Sequence, residues 1–189
     1  LIWLEGFLKA YEGALVMTSH DWEFMNRVCT RILEIDGGEL NHYAGNYDVA
    51  LLGKSMDDVV RAYRGEYPGL LRCDALYHDL RHSLETALTM ARLLDGYAAQ
   101  HAPGGVAGIA ADHALLGVLL ALFHDIGLLR RDSEADLWGP SLTPIHEERG
   151  VEFMHAYLPD TSLAVLVGAS KLIMATKLVY VMPDSWTAE

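Results

Sequence analysis

Apolar and polar positions fall into a few periodic stretches. Ile2 to Tyr11 carries apolar residues at 3, 4, 7, 8 and 11, a helical period that Gly13 ends. Ala14 to Thr18 is a short apolar run and predicts a buried strand. Asp21 can cap a second helix, Trp22 to Val28. Thr30 to Ile35 then alternates, Asp36-Gly37-Gly38 turns, and Glu39 to Tyr43 returns, which is a hairpin pattern. Ala44 to Ser55 holds two glycines and no long period. A boundary is expected near Gly53, dividing the chain into residues 1–52 and 53–189.

Beyond that boundary the period is helical. Ser55 can cap a helix over Met56 to Tyr63, with Asp57 and Asp58 favourable in its first turn. Asp74 can cap a long helix to about Tyr97, with a buried stripe of Leu76, Leu80, Leu84, Ala87, Ala91 and Leu94. A loop containing glycine and proline is expected at residues 100–108. Asp112 to Phe123 predicts an almost wholly apolar helix, followed at once by His124 and Asp125. Loops are expected at 132–136 and 140–144, then a helix from Ile145 to Tyr157. A last helix is expected from Thr161 through Leu163, Leu166, Ala169, Ile173, Lys177 and Tyr180. The expected fold is mainly α: a compact helical domain preceded by a small α/β piece with a hairpin.

Composition narrows this picture. Of 189 residues 51% are hydrophobic, enough for a sizeable core, and the length suits one medium domain or one domain plus a piece of another. The chain opens on Leu1 inside a helical pattern, which reads as a fragment. Its 26 acidic residues outnumber 14 basic ones, for a net charge of -12. That balance argues against gripping nucleic acid through its phosphates, while leaving room for a small anionic substrate held by a metal. Cys29 and Cys73 have no metal-type spacing and read as cytoplasmic free thiols. The stretch 107–123 is broken by Asp112 and His113, and 163–182 carries Lys171 and Lys177. Both read as buried or amphipathic helices rather than membrane spans.

The candidate chemistry sits where the apolar helix ends. Two ionisable groups after such a run are costly to bury unpaired. A hydrogen-bonded structural pair would answer this, and so would a divalent cation, since imidazole and carboxylate both ligate metals. A metal would need further ligands. About forty residues upstream, in YHDLRH, His78 and His82 stand four apart, on one face if the segment is helical. His146 and Glu147 open a later helix and could line the same pocket or act as a solvated cap. Arg130 and Arg131 could meet a substrate phosphate or pair with the acidic loop after them.

YHDLRHSLETALTMARLL followed by LLALFHDIGLLRR resembles the HD-domain metal-dependent phosphohydrolases, from about Asp57 onward. That resemblance implies an all-helical metal-dependent phosphohydrolase acting on a small phosphomonoester or phosphodiester. It implies His82, His124 and Asp125 as ligands to Mn, Mg, Zn, Co or Fe, and His78 as proton donor. Such a metal would activate a bound water, and an imidazole would protonate the leaving alkoxide. The chain departs from the pattern at Asp79, where phosphodiesterase relatives have Asn. It departs again near its end, where MATKL (174–178) is followed only by Asp184 as a late aspartate.

The first stretch carries a different likeness. WLEGFLKAYEGALVMTSHDWEFMNRVCTRILEIDGGELNHYAGNYD looks like the end of an ATP-binding-cassette domain of the F subfamily, up to about Asp48. The resemblance implies that His20 of SHD contacts the γ-phosphate of ATP; Trp22 stands where that family usually has Arg. No G-x-x-x-x-G-K-[ST] loop, signature glycine motif or Walker-B acid pair occurs in these 189 residues. A switch histidine without a phosphate loop cannot run ATP hydrolysis, so this piece is expected to have no ATPase activity by itself.

Overall fold

The computed structural model describes residues 2–100 and 109–158. Among these residues, six α-helices and one hairpin occur in the order α1 (Ile2–Ala10), α2 (Trp22–Val28), β1 (Arg31–Asp36), β2 (Glu39–Ala44), α3 (Tyr47–Arg64), α4 (Leu80–Gln100), α5 (Ala111–Phe123) and α6 (His146–Tyr157). Three short 3-10 turns, Ile126–Leu128, Asp132–Glu134 and Gly139–Ile145, link α5 to α6. The fold is thus mostly helical with one small antiparallel hairpin. The last expected helix, the expected loop from residue 101 to 108, and Asp184 lie outside the described residues.

The N-terminal elements follow their local chemistry. Asp21 caps α2, its side chain accepting from the Phe24 N–H at 2.9 Å. In the hairpin Arg31 pairs with Ala44 and Asp36 with Glu39. Gly37 and Gly38 turn it with φ of +56° and +86°, the two positive values a two-residue type I′ turn requires. The expected strand over residues 14–18 does not form: the segment is irregular and Val16 is 87% exposed. A strand needs a ladder partner, and among the described residues the only sheet is β1–β2.

Helix α3 begins nine residues earlier than its sequence pattern suggested, at Tyr47 rather than Met56. Its cap is Asn46, which accepts from the Val49 N–H at 3.2 Å. Ser55, expected as a cap, lies in the helix interior and is fully buried. Gly53 does not break the helix and lies against the Tyr43 ring of β2, where a Cβ would make ordinary contact at 3.4 Å. Helix α3 runs through the expected 52/53 division.

The core forms where α3, α4, α5 and α6 converge. Leu115, Leu116, Leu119, Leu122 and Phe123 of α5 meet Val59, Ala62 and Tyr63 of α3, Ala87 of α4, and Met154 of α6 with Leu158 beyond it. Ser83 and Ala87 are the buried positions of α4, small residues that admit a close neighbour. Leu76, expected in the stripe of α4, lies before the helix and is 94% exposed. The window Ala111–Leu128 is long and apolar enough to cross a membrane by length and composition, and 56% of it is buried inside the protein. Asp58, expected in the first turn of a helix, lies in the interior of α3 and is buried; it accepts from the Tyr157 hydroxyl at 2.8 Å and pairs with Arg61 at 3.2 Å.

Candidate metal centre

The long helix α4 does not start at Asp74. It starts at Leu80, capped by Asp79, whose carboxylate accepts from the His82 N–H at 2.9 Å. Asn and Asp are equivalent caps, so the departure at this position keeps the local structure intact. His78 therefore precedes the helix and His82 sits in its first turn. A buried Tyr63–Ser83 hydroxyl contact of 2.7 Å ties α4 to α3 beside His82.

Asp125 ends up 2% exposed in the turn after α5, with imidazoles around it. Its Oδ2 lies 2.7 Å from His78 Nδ1, 3.0 Å from His124 Nε2 and 3.4 Å from His82 Nε2. The Nε2 atoms of His82 and His124 are 3.3 Å apart. The other carboxylate oxygen, Oδ1, faces His146 Nε2 at 3.7 Å. The structure thus brings together His78, His82, His124 and Asp125, and adds His146 from a separate helix.

Backbone carbonyls set the tautomers. His124 Nδ1 donates to the Ala121 carbonyl at 2.8 Å, and His146 Nδ1 donates to the Thr143 carbonyl at 2.6 Å. With Nδ1 engaged this way, each ring presents its Nε2 to Asp125. Glu147 Oε2 lies 3.1 Å from His146 Nδ1, but that proton is used on Thr143, so this buried oxygen has no hydrogen bond. Burial would raise the Asp125 carboxyl; His124 and His78 outweigh it and hold the group down at about 2. Burial would also lower His124, but the Asp125 carboxylate and the Ala121 carbonyl bring its pKa above the ordinary imidazole value.

One ligand atom each of His78, His82 and Asp125 lies within 4.8 Å of the others. Separations near 3.0–3.4 Å are the edges of a coordination polyhedron with bonds of about 2.1 Å. The donor set of imidazole nitrogens and one carboxylate suits a borderline divalent ion. Tyr77 stands at the rim, its ring 4.9 Å from His82 and 5.1 Å from His78.

The other expected site residues are placed differently. Arg130 donates to the carbonyls of Ala135 and Leu137 at 3.0 and 2.9 Å and pairs with Asp74 at 3.2 Å. It braces the loop after it instead of presenting an open fork to a phosphate. Asp74, expected as a helix cap, accepts instead from the Gly139 N–H at 3.0 Å. Arg131 is half-exposed and pairs with Glu152 at 2.8 Å. His20 is exposed in the loop before α2.

Part of the chain is related to ATP-binding-cassette proteins. The ATP-binding protein Uup of Escherichia coli is 50% identical over 52 residues, 28% of this chain and 8% of the relative. Uup of Haemophilus influenzae is 42% identical over 64 residues, 34% of this chain and 10% of the relative. The ABC transporter F family member 2 of Dictyostelium discoideum is 43% identical over 47 residues, 25% of this chain and 8% of the relative. The chain therefore spans about a tenth or less of the length of these relatives. No protein-family model matches it, and no solved structure matches it. These findings overturn the expected HD-type phosphohydrolase and its phosphodiesterase chemistry: the relatives are ATP-binding-cassette proteins, and nothing found supports the HD-type label.

Proposed function

We propose that residues 1 to about 52 are the closing segment of an F-type ATP-binding cassette, present here without nucleotide hydrolysis of their own. The observation that carries this is the 50% identity over 52 residues to a protein of which that stretch is 8%. The chain's nearest approach to a phosphate loop supports it. Gly53-Lys54-Ser55 would end such a loop, but Asp48 stands where its first glycine is needed, and all three residues lie inside α3. Lys54 pairs with Glu34 at 3.0 Å, so its charge is already engaged. The reading keeps a cytoplasmic setting, and His20 remains a relic of nucleotide contact.

The second part, from about residue 53, is a non-catalytic helical unit that holds a divalent cation. His82, His124 and Asp125 are its ligands, with His78 joining them as a ligand. The convergence of three imidazole nitrogens on one buried carboxylate oxygen supports this.

Calorimetric titration of the whole chain tests both parts. Magnesium-ATP is expected to give no binding heat, and binding that disappears in His20→Ala would overturn the first part. Cobalt(II) is expected to bind saturably and to be lost in His124→Ala and Asp125→Ala. Cobalt binding absent from the parent chain, or unchanged in those variants, overturns the second.

A further inference from the structure

We propose that Arg149 is the positioning residue of the cation site, acting through the backbone that follows Asp125. The inference rests on the cation reading above. Arg149 lies one helical turn after His146 on α6, and its side chain is 11% exposed. It makes four hydrogen bonds. Nε donates to the Gly127 carbonyl at 2.8 Å and Nη2 to the Leu129 carbonyl at 3.0 Å. Nη1 and Nη2 each donate at 2.8 Å to one oxygen of Glu134. Glu134 in turn accepts from the Arg131 N–H at 2.8 Å, which fixes the carboxylate from its other side.

The consequence is geometric. Gly127 is two residues past Asp125, and its carbonyl is tied to the helix that carries His146. The same guanidinium therefore fixes the distance between the carboxylate and the α6 imidazole that faces it. Among the described residues, the Arg149 bond to the Gly127 carbonyl is the polar tie between Ile126–Leu128 and the first turn of α6. A planar fork with donors in two directions is needed, which lysine cannot supply. Partners of this kind, one step removed from the ligands, typically contribute about 10–100-fold in metal affinity.

The test is cobalt(II) binding by the whole chain, read by visible absorption, with circular dichroism and thermal unfolding of the metal-free protein alongside. Arg149→Met is expected to weaken cobalt about tenfold or more and to change the cobalt absorption envelope. Arg149→Lys should recover little of this. Glu134→Gln should weaken cobalt less, and adding it to Arg149→Met should cost nothing further, since both act through one clamp. If Arg149→Met fails to fold, Arg149→Lys and Glu134→Gln decide the matter by the same spectrum. Folded variants that bind cobalt with parental affinity and spectrum overturn the positioning role while leaving the cation site standing. A parental chain that binds no cobalt overturns the site itself.

Discussion

Gly127→Ala probes the tightest glycine position among the described residues. A Cβ at this position would lie 1.9 Å from the His146 carbonyl oxygen and 2.8 Å from the Gly150 N. Both atoms are backbone, so no side-chain rotation relieves the clash. Restoring ordinary contact requires the turn and α6 to part by about 1.5 Å. Overpacking of this kind costs about 1–3 kcal/mol, and a rigid helix as the obstacle puts this case at the upper end or beyond. For a chain of this length that is a fall in Tm of roughly 6–12 °C. Displacement of α6 also carries His146 away from Asp125 and strains the Arg149 bond to the Gly127 carbonyl. Gly96→Ala on exposed α4 is the control: nothing lies within 4 Å of its new Cβ, so it should stabilise by about 0.5–1 kcal/mol. Thermal unfolding followed by circular dichroism reads both. A Gly127→Ala protein melting within a degree or two of the parent would refute the packing argument.

Leu119 is 0% exposed at the centre of α5, and Leu119→Ala should cost about 3–4 kcal/mol in urea unfolding. Tyr157→Phe removes the hydroxyl bond to buried Asp58 and should cost about 1–2 kcal/mol; a parental midpoint would show that Lys54 and Arg61 suffice for that carboxylate. Arg149 holds Glu134 well below the ordinary carboxylate range, at about 2. Its folded value is depressed, so the stability it contributes is present above pH about 4.5 and is lost as pH falls toward about 2. Asp125 titrates in the same window, so the measurement is the difference between parent and Glu134→Gln in urea at successive pH values. Parallel curves down to pH about 3 would contradict it.

Much of the helical part is legible in the apolar pattern. The run Leu115–Phe123 could only be core, and the hairpin was marked by its Gly37-Gly38 turn. The spacing of His78 and His82 points to their grouping with His124 and Asp125, but helical periodicity is not what joins the first pair. His78 precedes α4, and the two imidazoles meet because Asp79 caps the helix between them. Three features escaped for physical reasons. A strand over 14–18 depends on a partner that local pattern does not reveal. The boundary expected near Gly53 falls inside α3, which continues through it because Tyr47, Leu51 and Leu52 pack on the shared core. Arg149 binds two backbone carbonyls and the Glu134 carboxylate, and backbone acceptors leave no trace in side-chain spacing.

Helix α3 has a bearing on how such a chain can be dissected. Leu51 belongs to the same buried cluster as Val59 and Met154, and Tyr47 and Leu52 pack on it. Scissors placed at the compositional seam would saw through a rod in mid-turn and strip the helical half of part of its own floor. Whatever history joined the two likenesses, the join is now a shared beam, and neither half can be lifted out along the line where the sequence changes character.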